Sequence, residues 1–581
     1  MKHARAEKRP ASAISWMRNE ARPAATAAVR IGGRQMMQHM RTLGRLCLAT
    51  VVMLAIGVGS AAAASNDQVT TEVKKGTLVV EGTDSGEEIV LRLRAGDATT
   101  LEVVTPDGIL AFARDSFTRI AVEADEGNDL LRIDQTNGGF TDTEATTLSG
   151  GHDDDDLLGG AGVETFLGGP GDDEIDGNQG TDEAFLGSGD DSFTWDPGDG
   201  SDKVEGQPGD DTLIFNGAGV SESFDASANG KRLRFFRDLG NIVMDVDGTE
   251  RIDLRALGGA DTTVMNDLRR TDVEAFDIDL APTIGGTTGD GQADTVTLIG
   301  SDSPGRTDDV QINAFPDAVQ VTGLSADVSI VHPEAANDLL SVNTLGGNDD
   351  VAGSLGLAAR LKLAVDGGAG DDTIFGGDGA DLLLGGDGDD DIDGNAGADV
   401  AHLDAGEDAF TWDPGDGSDV VEGGDGTDTM IFNGSAGNEV FALLANGERL
   451  SFTRNLGNIV MDVNDVEQVD LEALEGSDQT TVNDLSGTDV EDINVDLEGV
   501  LGGGAAEGAA DTVTVNATDQ VDIIDVAAVA GETHITGLTA IVRITHADPL
   551  LDNLIVNTLG GVDQVNVGAG VAALIGVTVN Q

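Results

Sequence analysis

From residue 65 onward the chain alternates short apolar clusters with glycine- and aspartate-rich turns. Stretches such as NIVMDV, DVEAFDIDL, DTVTLIG, DVQINAF, AVQVTGL and DVSIVH recur every 10 to 22 residues, and apolar residues within them tend to fall at every second position. That period belongs to strands, because successive side chains of an extended chain point to opposite faces. Amphipathic patterns of helical period are nearly absent, so an all-β chain is expected. TLVVEG, EIVLRLRAG and RIAVEAD in residues 65–149 read as a β segment that begins or caps the architecture.

Self-comparison divides the remainder. FTWDPGDGSD occurs at Phe193 and at Phe410, and LGNIVMDV at Leu239 and Leu456, an offset of 217 in both cases; VNTLGG at Val342 and Val556 shows an offset of 214. One unit of roughly 215 residues is therefore present twice. Each copy opens with a shorter period of nine. From Gly150 the chain reads GGHDDDDLL, GGAGVETFL, GGPGDDEID, GNQGTDEAF and LGSGDDSFT, then GQPGDDTLI after a WDPGDGSDKVE element; a matching series starts at Gly367. Glycine recurs in the fourth place, aspartate in the sixth and an apolar residue in the eighth. The organisation expected is a first array at 150–214, a β-solenoid segment at 215–366, a second array at 367–431 and a second solenoid segment at 432–581.

The nonapeptide has a mechanical reading. Its first six residues form a turn whose glycines can take positive φ, and its last three form a short strand with the eighth residue buried. Nine residues then make half a coil, and units 18 residues apart stack on one edge about 4.8 Å apart. Two ionised aspartates at that distance repel by roughly 3.5 kcal/mol at an effective dielectric of about 20. A cation is needed between them. Ca²⁺ suits the gap because it accepts six to eight oxygen ligands in loose geometry, and the arrays offer no cysteine and only scattered histidine for softer metals.

These residues resemble the RTX, or hemolysin-type, calcium-binding repeat with its GGxGxDxUx signature. The resemblance covers the two arrays, about 130 of 581 residues. It implies a parallel β-roll, continuous with the solenoid segments and elongated, whose sixth-position aspartates share Ca²⁺ between turns 18 residues apart while turn carbonyls complete the shell. Carried over by position, the pairs are Asp155 with Asp173, Asp173 with Asp191, Asp372 with Asp390, Asp381 with Asp399, and Asp390 with Asp408; Asp182, Asp211 and Asp428 occupy the same place in their units. The glycines that shape the turns are Gly168, Gly169 and Gly171 in the first array, and Gly367, Gly368, Gly370, Gly376, Gly377, Gly379, Gly385, Gly386 and Gly388 in the second. Glu164 stands where an aspartate is expected and Asp153 where a glycine is expected, which counts against sites built on them. The WDPGDGSD element is two residues too long, and caps the array or forms an irregular site through Asp199 and Asp202, or Asp416 and Asp419.

Other readings of the same residues are weaker. Low hydrophobicity with high charge is a signature of disorder, but the regular eighth-position Ile, Leu and Phe argue for order, conditional on calcium. Asp172, Glu174, Asp176, Gly177 and Glu183 match much of an EF-hand loop, yet Gln179 stands where an apolar residue belongs and the flanks are glycine turns. His332 and His546, equivalent across the duplication, read as structural residues after strands. Trp195 and Trp412 read as packing the end of each array in preference to stacking on sugars.

Charge and composition set the function class. The net charge is -74, with ten Lys/Arg and two acids in residues 1–64, leaving 22 Lys/Arg against 104 Asp/Glu in the rest. Such a polyanion should avoid nucleic acid and anionic lipid and attract cations. The basic segment reads as an address: Arg41 and Arg45 precede LCLATVVMLAIGVG, and SAAAAS offers a cut between Ala64 and Ser65, with Met40 an alternative start. An uncleaved anchor at 46–64 is the lesser reading, and no stable membrane span is expected once the signal is removed. Cys47, the only cysteine, precedes the apolar run, so neither disulfides nor thiol chemistry serve the mature chain. No HExxH, GxSxG or P-loop appears, so no enzyme is expected. The expectation is a secreted, extracellular or cell-surface calcium-binding structural protein, exported in bacterial fashion through the N-terminal signal, that folds when it meets external Ca²⁺. RTX relatives use such modules in this way in proteases, toxins, epimerases and adhesins. The partner would be a cell-surface or extracellular polysaccharide or protein, and the alternative is an adhesin or a polysaccharide-acting enzyme that uses the solenoid face.

Overall fold

The computed structural model describes residues 68–506 and 508–581. The signal segment, with Met40, Cys47 and the cut after Ala64, lies outside the described residues.

Alternating burial turns the apolar clusters into strands. In Ser192–Trp195, for example, Phe193 and Trp195 are buried while Ser192 and Thr194 are half-buried on the outer face. Each strand lies in one of two facing sheets, and within the arrays the chain passes from one sheet to the other at every turn. The first sheet contains Glu164–Pro170, Glu183–Ser188 and Lys203–Glu205, and the second Asp156–Leu158, Glu174–Asp176, Ser192–Trp195 and Thr212–Asn216. Pairing within each sheet is parallel in this region, with Thr165 opposite Glu183 and Glu174 opposite Ser192, which is the register of 18 expected from two nonapeptides per coil. The result is a parallel β-roll that continues into β-solenoid rungs.

The two half-coils are unequal. In the second sheet Asp156–Leu158 and Glu174–Asp176 cover three residues, but in the first sheet Glu164–Pro170 runs on through the glycine pair Gly168–Gly169. The expected three-residue strand appears at Asp156–Leu158, Glu174–Asp176 and Lys203–Glu205, and longer strands occur on both faces. The EF-hand reading fails outright: Glu174 and Glu183 each open a β-strand, and the described residues contain no α-helix.

Outside the arrays the coil follows a device that the sequence did not disclose. After Thr212–Asn216 the chain enters the first sheet two places ahead at Ser223–Asn229, then fills the gap backwards with antiparallel Arg232–Arg237 and Ile242–Asp247. Ile242–Asp247 thereby lands parallel to Lys203–Glu205. Asp309–Phe315, Ala318–Thr322 and Asp327–Val331 repeat the manoeuvre in the second sheet, and the second copy contains both versions, at 440–464 and 523–545. At the start of the stack Thr70–Lys74 pairs antiparallel with Thr77–Thr83, and Glu88–Arg94, Asp97–Thr105 and Gly108–Ala113 form an antiparallel meander.

The core is a column of apolar side chains between the sheets. Trp195 stacks on Phe215 at 4.2 Å between ring centroids and Trp412 on Phe432 at 4.0 Å. Both indoles are 0% exposed, and their Nε1–H groups donate to the carbonyls of Gly200 and Gly417. They pack the ends of the arrays and offer no face to a sugar.

Candidate calcium ladders

Within the arrays, every turn from the first sheet to the second brings a carboxylate to one edge of the stack. Asp155, Asp173, Asp191 and Asp211 are each at most 1% exposed. Each one's backbone N–H donates to the carboxylate of the next rung, Asp155 to Asp173 at 2.9 Å, Asp173 to Asp191 at 2.7 Å and Asp191 to Asp211 at 3.0 Å. In the second array Asp372, Asp390, Asp408 and Asp428 follow the same rule. The opposite edge has Glu164, Asp182 and Asp202 in one copy and Asp381, Asp399 and Asp419 in the other. All five aspartate pairs expected from the 18-residue spacing are thus neighbours, joined by a backbone hydrogen bond.

Only one carboxylate oxygen of each aspartate is satisfied in this way. Oδ2 of Asp155, Asp173, Asp182, Asp191, Asp211, Asp372, Asp390, Asp399, Asp408 and Asp428 is buried without a hydrogen-bond partner. Such an atom carries a desolvation penalty unless something positive approaches it. Protonation is one answer, and the carboxyls are accordingly pushed up: Asp155 and Asp173 to about 7, Asp182 and Asp399 to about 8, Asp191 and Asp372 to about 6, and Asp211, Asp390 and Asp408 to about 7. Burial is the largest cause in every case. Repulsion between rungs, which the sequence argument treated as dominant, comes after it.

Four buried acids show how the chain handles these charges where it has a cation of its own. Glu222 is fully buried against Arg237, and Glu439 against Arg454. Asp308 pairs with Arg269, and Glu144 with Arg114. The interior aspartates Asp155, Asp173, Asp182, Asp191, Asp211, Asp372, Asp390, Asp399, Asp408 and Asp428 have no Lys or Arg ion pair among the described residues. Arginine neutralises Glu222, Glu439 and Asp308, and no basic side chain does so for the interior aspartates of the arrays.

Glycine makes the turns passable. Gly169 has φ +132°, and a Cβ there would lie 2.0 Å from the carbonyl oxygen of Gly151 in the rung before; at Gly171, φ +148°, it would lie 2.0 Å from the carbonyl of Asp153. Gly368, Gly370, Gly386 and Gly388 repeat this conformation in the second array. At the first position, a Cβ on Gly168, Gly367 or Gly385 would meet Oδ2 of Asp173, Asp372 or Asp390 at 2.4–2.5 Å, so the orphan oxygen faces the glycine cradle. The opposite edge is built differently: Gly376, Gly377 and Gly379 lack positive φ, and Asn178 and Asn395 take the left-handed conformation instead. Asp381 also differs, because its Oδ2 accepts the Gly377 N–H at 2.6 Å. Buried unpaired carboxylate oxygens beside an open glycine turn, with backbone carbonyls stacked alongside, suit a hard dication that prefers oxygen.

The irregular positions resolve individually. Glu164 is 1% exposed and joins the ladder: its N–H donates to Asp182, and its longer side chain reaches back to the Gly160 N–H. Asp153 takes φ +75° at its glycine place and remains exposed. Asp202 and Asp419 are ladder members, whereas Asp199 and Asp416 accept the N–H groups of Asp196 and Asp413 within the extra turn. The WDPGDGSD element therefore lengthens a rung without interrupting the ladder.

Sequence reasoning missed the extent of the pattern. Asp129 precedes Asp155 on the first edge, and Glu87 precedes Asp129. Beyond the arrays Glu222, Asp261, Asp294 and Asp338 form one run, and Glu439, Asp478, Asp511 and Asp552 its counterpart. The segments expected to rely less on metal carry the same buried carboxylates. An available signal was an aspartate two places before a buried apolar residue, as in Asp294-Thr295-Val296.

A family model for the RTX calcium-binding nonapeptide repeat matches residues 158–193, 197–217, 366–401 and 415–438. These four segments carry the RTX calcium-binding nonapeptide repeat, and the ion that such repeats bind is Ca²⁺. No curated protein matches the chain.

Proposed function

We propose that the protein is a secreted or cell-surface structural protein, without catalytic activity, whose two arrays fold around Ca²⁺ after export through the N-terminal signal. The observation that carries this reading is the row of buried, unpaired Oδ2 atoms in the arrays, each beside a glycine turn and none with a basic partner. Asp155, Asp173, Asp191 and Asp211 would hold the ions on one edge and Asp182 on the other; in the second array the same roles fall to Asp372, Asp390, Asp408 and Asp428, and to Asp381 and Asp399. The ion supplies positive charge and coordination to the orphan oxygens. The protein supplies turn carbonyls, a fixed spacing and the exclusion of water. At about 1 mM Ca²⁺ and a site Kd near 0.1 mM, each site would add roughly 1.4 kcal/mol, so several together would decide between folded and unfolded. No helix among the described residues is long and apolar enough to cross a membrane. A polysaccharide or protein of the cell surface is the partner class that the long acidic stack suits.

The test is a Ca²⁺ titration of EDTA-treated protein at pH 8, followed by circular dichroism and by equilibrium dialysis with radioactive calcium. A cooperative gain of β signal with several ions bound per chain supports the reading. A β signal that is complete in EDTA and unchanged by calcium, or no bound calcium, would overturn it.

A further inference from the structure

The duplication supplies an internal comparison around its two equivalent histidines. In the first copy His332 Nδ1 lies 2.8 Å from Asp279 Oδ1, at the end of the strand Ala275–Asp279. The residue beside Asp279 in the sheet is Arg255, and two places beyond Asp279 stands Ala281. Arg255 is ion-paired with Asp253 at 2.7 Å, so the imidazole of His332 meets one acid with an arginine on the neighbouring strand.

The second copy keeps the histidine and the aspartate but changes the rest. His546 Nδ1 lies 2.7 and 2.9 Å from the two oxygens of Asp496. Glu472 now faces Asp496 across the sheet where Arg255 faces Asp279, and Glu498 stands in the place of Ala281. Glu498 is 2% exposed, with Oε2 at 4.0 Å from His546 Nδ1 and accepting the Gly504 N–H at 2.6 Å. Oε2 of Glu472 is buried without a hydrogen-bond partner. Like charges directly opposite in a sheet are destabilising. A cation and a methyl group have thus been exchanged for two carboxylates around one imidazole. Three carboxylates against at most one imidazolium leave a net negative charge where Asp496 and Glu498 are buried, Glu472 is half-buried and His546 reaches solvent, and the buried part of that charge needs compensation.

We propose that Asp496, Glu498 and His546, with Glu472 beside them, form a site for a first-row transition-metal dication, Zn²⁺ fitting best, separate from the calcium ladders. The ligand atoms of Asp496, Glu498 and His546 all lie within 4.8 Å of one another, close enough to share one ion. An imidazole nitrogen among carboxylate oxygens distinguishes this set from the all-oxygen turns: imidazole suits zinc and its neighbours, while calcium takes oxygen. The site belongs to the second copy alone, because Arg255 and Ala281 remove two of its acids from the first.

The full chain, held in excess Ca²⁺ to fill the oxygen sites, is titrated with Zn²⁺ against a chromophoric chelator, and with Co²⁺ followed by visible absorption. One Zn²⁺ per chain is expected. His546→Ala and Glu498→Ala should each weaken it by at least ~10-fold, whereas His332→Ala should not. Glu498→Ala and Glu472→Arg install residues that the first copy already carries at the equivalent places, so these variants keep the fold while removing ligands. Absence of a saturable Zn²⁺ site in the calcium-loaded chain, retention of the site in His546→Ala, or equal loss in His332→Ala would overturn the assignment.

Discussion

The backbone N–H of Asp155 donates to Oδ1 of Asp173 at 2.9 Å, and the other oxygen of Asp173 has no partner. One carboxylate therefore has two tasks: it ties its own rung to the one before, and it presents a buried negative oxygen to the glycine turn. Replacements at Asp173 should separate them. Asp173→Ala leaves the Asp155 N–H buried without an acceptor and should cost ~1–3 kcal/mol with or without calcium. Asp173→Asn keeps the acceptor and removes the charge, so it should stabilise the calcium-free chain at pH 8 and lower the number of ions bound. Urea unfolding in EDTA and in calcium, beside dialysis, reads both effects.

The raised carboxyls give the calcium-free chain an unusual pH dependence. Asp155, Asp173, Asp211, Asp390 and Asp408 are pushed up to about 7 in the fold, from the ordinary value of 3.8. The folded chain then binds more protons than the unfolded one between those limits, so stability is greatest near the lower value and is lost as pH rises through about 7. Thermal unfolding in EDTA should show a midpoint that falls between pH 5 and pH 8. Calcium should abolish that fall, because it takes the place of the protons.

Turn glycines are a second point of failure. Gly169→Ala forces a side chain into φ +132° against the Gly151 carbonyl and should cost at least ~2 kcal/mol. Gly219→Ala, where a Cβ meets nothing within 4 Å, should change stability by less than ~0.5 kcal/mol. Denaturant midpoints in calcium compare the two.

Trp195 and Trp412 are buried in stacked pairs, so Trp412→Ala should cost ~3–5 kcal/mol by opening a cavity beneath Phe432. In calcium their fluorescence should resist quenching by acrylamide, and EDTA at pH 8 should expose them.

The repeat of nine, the register of 18 and the burial of Phe193 or Ile392 were legible because local spacing imposes them. The continuation of the ladder through Asp261, Asp294 and Asp338 was not, since 33 and 44 residues separate these rungs and no fixed period reveals them. Nor could spacing show that the chain skips ahead to Ser223–Asn229 and returns, because each of the three strands alternates as an ordinary rung does. The two edges looked alike in sequence and differ in backbone, positive-φ Gly169 and Gly171 on one and left-handed Asn178 on the other. Glu472, Asp496 and His546 are drawn together only by the pairing of neighbouring strands, so the histidine read in isolation as merely structural.

The central claim is that the buried aspartates of the arrays exchange protons for calcium. It is tested most directly by adding Ca²⁺ to calcium-free protein in a pH-stat near pH 6, where the carboxyls pushed up to about 7 or 8, such as Asp155, Asp173, Asp182 and Asp399, are still largely protonated. Release of protons in proportion to calcium bound, diminishing towards pH 9, is the result expected. Calcium uptake with no proton release at either pH would show that the aspartates are already ionised in the fold, and would contradict the account.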